Sequence, residues 1–220
     1  MSPLPTRMCV AADTAAVRCT ADGRLEVLLV QRGHEPFKGR WALPGGFVEE
    51  NEDLPDGAAR ELEEETGLRP AVMVQIGAWG APGRDPRGRT VSAVYLAVAA
   101  AGRDEVAGAD DAAHAAWLPL NALPPLAFDH SDIVPAALAY LRLQCQHTHM
   151  AFAFLGESFS RADLERVLHA LGCQDGRVGA VWVLKVAQVV KTGQFYRLKA
   201  DILAPLREPV FLFTLDSSET

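Results

Sequence analysis

The sequence has few cysteines and no long apolar segment. Its 4 cysteines form neither a CxxC pair nor a zinc-ligand spacing, so free thiols in a reducing compartment are expected in place of a disulfide framework. The longest uninterrupted apolar run covers residues 93–101, far fewer than the roughly 18 to 20 residues of a membrane-spanning helix. The first ten residues, MSPLPTRMCV, lack a basic region followed by an apolar one. We therefore expect a cytoplasmic protein with no membrane partner.

Basic charge is also scarce. The chain of 220 residues has 21 Lys and Arg against 28 Asp and Glu, and a net charge of -7. Residues 1–145 hold 13 basic and 20 acidic side chains, whereas residues 146–220 hold 8 of each. A uniformly basic nucleic-acid-binding protein is disfavoured, although a local basic patch is not. With 49% hydrophobic residues, the composition is typical of a globular protein with one large or two small domains.

The hydrophobic pattern of the first two thirds predicts strands mixed with helices. Segments rich in Val and Leu predict strands over residues 8–19, 25–31, 42–43, 47–48, 71–79, 90–100 and 115–118. A helix is expected over 54–66, with Pro55 in its first turn and Gly67 ending it. Ser131 and Asp132 are expected to cap a second helix that runs to residue 143. This order predicts an α/β sandwich.

The pattern changes near residue 146, and we predict two domains, 1–145 and 146–220. Phe159 followed by Ser160 and Asp163 has the form of a capping box with a hydrophobic residue before it. The helix that begins there should run to Leu171 and end at Gly172. A second helix is expected over 175–190, and a turn and strand over 191–199. This order is the outline of a winged helix-turn-helix, and equally of many small packing modules.

The most informative stretch, GFVEENEDLPDGAARELEEETGL, covers residues 46–68. Glu61 lies three positions before Glu64 and four before Glu65, so the three carboxylates share one helix face. Each like-charge pair of this kind costs about 0.2–0.5 kcal/mol. Mg²⁺ prefers carboxylate oxygens and is commonly completed by substrate phosphates. The face therefore predicts a magnesium site and phosphate chemistry, with a solvated acidic helix surface as the alternative.

The residues around this helix support a rigid site. Arg60 is placed to pair with Glu52 and so to fix the loop that enters the helix. Gly45 and Gly46 allow the backbone to approach a metal ion closely.

The spacing within this stretch is that of a known signature. Gly46, five residues, Glu52, seven residues, Arg60-Glu61-Leu62, one residue, Glu64-Glu65, one residue and Gly67-Leu68 match at nine positions. The sequence resembles the Nudix hydrolases. The resemblance implies an α/β/α sandwich with a mixed sheet, and Mg²⁺- or Mn²⁺-dependent hydrolysis of a nucleoside diphosphate linked to another group.

The resemblance also implies roles for the matching positions. Glu61, Glu64 and Glu65 would bind the metal and act in catalysis, and the Gly45 carbonyl would be a further ligand. Glu61 or a nearby carboxylate would orient or deprotonate water, without a covalent nucleophile. Glu52 and Arg60 would give structural support.

The flanking segments WALPGGFVE and GRDPRGRTVSAVYLAV resemble the ADP-ribose-directed branch of the superfamily. This implies cleavage of ADP-ribose to AMP and ribose 5-phosphate. Four arginines are candidates to meet phosphates, or are solvated loop residues: Arg32, Arg84, Arg87 and Arg89. Trp41 is a candidate to stack on the base, or is a core aromatic residue.

The segment LPPLAFDHSDIVPAAL, residues 123–138, resembles Nudix-related transcriptional regulators, which join a Nudix domain to a winged helix and respond to ADP-ribose. His130 within it would contact substrate or, as we favour, cap the following helix. Candidate DNA-binding residues are few, and their stretch is mostly apolar: Arg177, Lys185 and Lys191. A homodimer would double the number of these residues. Hydrolysis is therefore favoured over DNA binding, and a tail that only packs or dimerises is the third hypothesis.

Overall fold

The structure, a computed structural model, describes residues 8–102, 106, 114–156, 158–173, 189–192 and 195–198. Their elements in chain order are β1 (Cys9–Cys19), β2 (Leu25–Gln31), β3 (Trp41–Ala42), β4 (Gly45–Phe47), α1 (Leu54–Thr66), β5 (Val72–Trp79), β6 (Thr90–Val98), β7 (Ala115–Pro119), α2 (His130–His147), a 3₁₀ helix (Met150–Phe154), β8 (Phe159–Ser160), α3 (Arg161–Ala170), β9 (Val189–Thr192) and β10 (Phe195–Leu198). Each helix in these ranges is too short or too polar to cross a membrane.

The first seven strands form one mixed sheet. Its central path runs β3-β2-β1-β6-β5, while β4 also pairs with β1 and β7 with β2. β1 is parallel to β6 but antiparallel to β2 and β4. The long β1 therefore places the short β4, which opens the glutamate-rich segment, at the centre of the sheet.

Helices cover both faces of this sheet. Along β1, Ala12 and Ala16 pack with the residues of the α1 side, whereas Ala15 and Val17 pack with those of the α2 side. This alternation is that of a strand buried on both faces. The predicted α/β/α sandwich with a mixed sheet is thus confirmed.

The core on the α2 side continues into the last third of the chain. Buried residues of the 3₁₀ helix and of α3 belong to the same hydrophobic cluster as α2 and the sheet: Phe152, Phe154, Leu164, Val167 and Leu168. β8, β10 and β9 form a separate three-stranded sheet in that order. The predicted helix over 175–190 falls mostly outside the described residues, and its last two positions lie in β9 instead. The winged helix and the domain boundary remain predictions.

Two predicted helix starts had different outcomes. The capping box is present, because Ser160 Oγ accepts a hydrogen bond from the Asp163 backbone and the Asp163 carboxylate accepts one from the Ser160 backbone. The prediction that Ser131 and Asp132 cap α2 is wrong. That helix begins at His130 after Asp129, whose carboxylate is bound instead by Arg84.

Candidate active site

Helix α1 carries the carboxylates, and it has a well-defined start and end. The Asp53 side chain accepts a hydrogen bond from the Leu54 N–H, and Gly67 ends the helix at φ 71°, a left-handed conformation that glycine adopts without steric cost. Ala58 and Leu62 are buried against the sheet. Next to this buried face, Glu61 and Glu65 are partly buried, whereas Glu64 is exposed.

Arg60 ties this face to the loop before the helix. Its guanidinium binds both carboxylate oxygens of Glu52 at 2.8 and 3.0 Å, and these bonds hold the pKa of Glu52 below its usual range. Its Nη1 also donates to Glu61 at 2.9 Å and to Glu64 at 3.1 Å. The predicted pair of Arg60 and Glu52 is therefore formed, and the same guanidinium also contacts two of the three predicted metal-binding carboxylates.

Glu65 has a different environment from those two glutamates. Its carboxylate accepts a hydrogen bond from the Gly45 N–H at 3.0 Å. Burial raises the pKa of Glu65 to about 7, the charges of Glu61 and Asp13 add to the increase, and the Gly45 bond and Arg32 oppose it. A carboxylate with a raised pKa next to other carboxylates favours binding of a cation.

The donor set has the chemistry that a hard divalent ion prefers. Gly46 lies so close to the Glu61 carboxylate that a Cβ atom at this position would overlap it, which leaves room only for bare backbone. Among the described side chains, no three His, Cys, Asp or Glu residues already stand close enough together to hold a metal ion. Arg60 lies between Glu61 and Glu64, so the metal-binding roles of these residues and of Gly45 remain predictions.

A cleft with a volume of about 200 Å³ opens beside Glu65. It lies between the loop at Gly45 and the segment that enters α2. The residues that line it and bear on its chemistry are Asp13, Arg32, Gly45, Phe47, Glu65, Arg84, Asp85, Arg87, Phe128 and His130.

Three of the four predicted arginines line this cleft, and aromatic rings contact two of them. Arg32 lies over the Phe128 ring at 4.7 Å, and Arg87 lies over Phe47 at 4.8 Å and Phe128 at 5.6 Å. Burial, and then the nearby Arg87 charge, lower the pKa of Arg32. Arg87 is also ion-paired with Asp85 at 2.7 Å. The two neighbouring cations form a site that an anionic ligand would stabilise.

The other predicted substrate residues make different contacts. Arg84 lines the cleft, but its side chain is only 4% exposed and is ion-paired with Asp129 at 2.7 Å and Asp13 at 3.3 Å. Arg89 donates to the Gly80 carbonyl and does not line the cleft. Trp41, on β3, packs against the main core. The structure thus brings Arg32, Arg84 and Arg87, but neither Arg89 nor Trp41, to the cleft.

A buried polar network beneath the cleft was missed by the sequence analysis. Asp13 accepts a hydrogen bond from Ser92 Oγ at 2.5 Å and lies 3.6 Å from His130 Nε2. Burial alone would raise the pKa of Asp13, but His130, Ser92 and Arg84 outweigh it and hold the pKa at about 2. The available signal was an aspartate inside the otherwise apolar strand VAADTAAV, since a charge buried in a strand needs specific partners.

His130 lines the cleft but does not cap α2, so the favoured capping role is wrong, and contact with substrate remains a prediction. It is the first residue of α2 and its side chain is 3% exposed. Its Nδ1 accepts a hydrogen bond from the Leu43 N–H at 2.9 Å, which joins it to the loop before Gly45.

The predicted DNA-binding residues are mostly beyond the described part of the chain. Arg177 and Lys185 lie outside it, and Lys191 lies on β9 opposite Tyr196 of β10.

Comparisons with known proteins agree with this arrangement. The NUDIX domain family matches residues 11–137. The ADP-ribose pyrophosphatase of Methanocaldococcus jannaschii is 45% identical over 117 residues, which cover 51% of this chain and 68% of that protein. The ADPR responsive transcriptional repressor NtrR of Acinetobacter baylyi is 34% identical over 158 residues, covering 69% of this chain and 62% of that protein. The crystal structure of Shewanella oneidensis NrtR complexed with a 27mer DNA has a TM-score of 0.77 and 29% identity, covering 89% of this chain and 95% of that one.

Proposed function

This chain belongs to the NUDIX family, and from that premise we propose that it hydrolyses ADP-ribose to AMP and ribose 5-phosphate with Mg²⁺ or Mn²⁺. The predicted class of enzyme, a Nudix pyrophosphohydrolase, is confirmed at the level of the family. The substrate is the finer part of the proposal. It is supported by the similarity to the M. jannaschii pyrophosphatase, of whose length this chain spans 68%.

One observation supports hydrolysis most directly. The Glu65 carboxylate, with its raised pKa, stands at one side of a cleft to which Arg32 and Arg87 also contribute. Carboxylates that attract cations therefore face cations that attract phosphates. A pyrophosphate with a divalent ion would carry both kinds of charge that these residues attract.

The residues that would hold the ion are Glu61, Glu64 and Glu65, with the Gly45 carbonyl. A bound divalent ion polarises phosphate oxygens and lowers the pKa of water. Arg32 and Arg87 would bind the phosphate oxygens, since their guanidinium groups offer paired donors and the aromatic rings restrict their motion. A carboxylate of the set would accept the proton of the attacking water.

The test is a hydrolysis assay with the full chain. ADP-ribose is incubated with MgCl₂ or MnCl₂, and the products are separated by ion-exchange chromatography. Equal amounts of AMP and ribose 5-phosphate are expected, and none in the presence of EDTA. If no nucleoside diphosphate derivative is hydrolysed with any divalent metal, the proposed activity is wrong.

A second function, an ADP-ribose-sensing repressor of transcription, is favoured by two of the relatives. NtrR is named as ADPR responsive, and the similar NrtR structure contains DNA and is matched over 89% of this chain. In this function residues 1–145 would form the sensor domain and 146–220 the DNA-binding domain. It is compatible with hydrolysis, because all expected carboxylates of the Nudix signature are present.

A gel-shift titration tests the repressor function. Promoter fragments are mixed with the protein at two salt concentrations, with and without ADP-ribose. Specific binding should saturate, weaken steeply as salt increases and change with ADP-ribose. Shifts that are absent, or that ADP-ribose leaves unchanged, would exclude this function.

A further inference from the structure

The network below the cleft joins three parts of the chain that are far apart in sequence. Ser92 on β6 and Asp13 on β1 meet in the sheet, and Arg84 extends from the loop between β5 and β6 to Asp129, the residue before α2. The side chains of Asp13, Arg84 and His130 are 10%, 4% and 3% exposed. Burying charges costs free energy unless they are paired, and here each one has a partner.

The hydrogen bond from Leu43 defines the tautomer of the neutral His130 ring. Its Nδ1 accepts the Leu43 N–H at 2.9 Å, so this nitrogen has no hydrogen of its own. A neutral imidazole then has its hydrogen on Nε2, which faces Asp13 Oδ2 at 3.6 Å. Asp13 therefore orients the ring, and the ring supplies the acceptor for Leu43.

The Leu43 bond fixes the turn that ends at Gly45. The Pro44 carbonyl accepts the Thr14 N–H at 2.9 Å, and Gly45 pairs with Asp13 across β1 and β4. The Gly45 N–H then donates to Glu65. A side chain at Gly45 would overlap the backbone of β1, so this turn is held tightly against the strand.

The backbone on the other side of His130 is strained. Phe128 has φ 53°, which is uncommon for a bulky residue and persists only where surrounding contacts impose it. Its ring supports Arg32 and lies 5.3 Å from the His130 ring. The segment from Phe128 to His130 therefore contributes to both sides of the cleft.

We propose that His130 is a positioning residue that holds the Leu43–Gly45 turn, and through it the Gly45 amide and Glu65, in the geometry that catalysis requires. It acts through the backbone of this turn, and its own side chain is only 3% exposed. The effect on hydrolysis rests on the proposed function, whereas the effect on the turn does not.

Two substitutions distinguish the roles of the two ring nitrogens. In His130→Asn the side-chain oxygen lies near the former Nδ1 position and can still accept the Leu43 N–H. In His130→Gln the longer amide reaches towards Asp13, and the acceptor for Leu43 is lost. His147→Gln is the matched control, because His147 is exposed on the same helix.

Amide hydrogen exchange of the metal-free, ¹⁵N-labelled full chain is the first measurement. In His130→Gln, exchange at Leu43 and Gly45 should be faster by about tenfold or more, because the turn opens more often. His130→Asn and His147→Gln should remain close to the wild type. Equal exchange at Leu43 in the wild type and His130→Gln would overturn the proposal.

The second measurement is steady-state hydrolysis of ADP-ribose. In His130→Gln, kcat should fall by about 10- to 100-fold, as for other residues that orient metal ligands, while KM changes little. His130→Asn should recover most of this loss. Equal losses in both variants would mean a structural role only.

The ¹⁵N shifts of the wild-type His130 ring cover the case in which a variant does not fold. They should show hydrogen on Nε2 and none on Nδ1. Hydrogen on Nδ1 would overturn the proposal. If the wild type does not hydrolyse ADP-ribose, the proposed function fails, but the exchange and ring measurements still decide the role of His130.

Discussion

Glu63 and Glu65 are two positions apart on α1, but their surroundings are opposite. Glu63 is exposed and binds Arg69 at the surface. Glu65 accepts the Gly45 N–H and has a pKa raised to about 7 by burial. At the residue scale, a difference in environment between identical side chains distinguishes the glutamates of the cleft from those of the solvated face.

We predict that Glu65→Gln lowers kcat/KM for ADP-ribose by about 100-fold or more, because a neutral amide binds a divalent ion poorly and stabilises the transition state less. Its oxygen can still accept the Gly45 N–H, so the unfolding temperature should remain near that of the wild type. Glu63→Gln is the control and should retain activity. An active Glu65→Gln enzyme would contradict the role assigned to Glu65.

Thr14 gives a prediction about stability. It is fully buried, and its Oγ1 has no hydrogen-bond partner within the described part of the chain. Thr14→Val should increase the free energy of unfolding by about 1 kcal/mol, because it removes a buried polar group that gains no bond. Urea unfolding at neutral pH measures this change.

Thr66→Val is the matched control for that experiment. The Thr66 hydroxyl is also buried, but it donates to the Leu62 carbonyl at 2.5 Å. This substitution should destabilise the protein. A loss of stability in Thr14→Val as well would show that the Thr14 hydroxyl has a partner, such as bound water.

At the scale of elements, helix α3 shows what local sequence determines. Its capping box was predicted from four neighbouring residues and is present, with the Asp163 carboxylate 2.8 Å from the Ser160 N–H. Helix α2 shows the opposite case, because the carboxylate of Asp129 is bound by Arg84, 45 positions away. The glutamate helix could be predicted because its signature is a spacing within one segment. The network of Asp13 and His130 could not, because β1 and α2 meet only in the folded sheet.

Asp163 gives a prediction of pH dependence for α3. The backbone N–H of Ser160 is the main cause that lowers the pKa of Asp163 below its ordinary value of 3.8, and Arg166 adds to it. A lowered pKa in the folded state means that the contribution to stability is present above the ordinary pKa and is lost as the pH falls through the folded one.

Asp163→Asn should therefore lower the free energy of unfolding by about 0.5–1 kcal/mol at pH 7. The difference from the wild type should shrink at pH 3. Urea unfolding at both pH values measures it, with Asp132→Asn, an exposed aspartate in the first turn of α2, as control. A difference that grows in acid would refute the assignment.

At the scale of the whole molecule, one hydrophobic cluster crosses the predicted domain boundary. Leu141 and Cys145 of α2 share it with Phe152 and Leu168 from the following elements. The Nudix domain contains its own second core on the α1 side. We therefore propose that residues 1–145 and 146–220 form two units that pack against each other.

A chain that ends after His147 tests this contact. It should fold, because both helices and the seven-stranded sheet are retained, but its unfolding temperature should be lower by several degrees, since each buried Leu or Phe contributes about 1.5–3 kcal/mol. It should also bind a dye specific for apolar surface. Calorimetry measures the first change, and an unchanged melting temperature would show that the two parts are energetically independent.

Helix α2 has one end in each of these regions. Its 18 residues span about 27 Å, from His130 under the Leu43 amide to Cys145 beside the 3₁₀ helix. Pro135 lies inside this helix, and an interior proline removes one backbone hydrogen bond and favours a bend. Movement of this single helix about Pro135 would connect the cleft beside Glu65 with the 3₁₀ helix without unfolding either region.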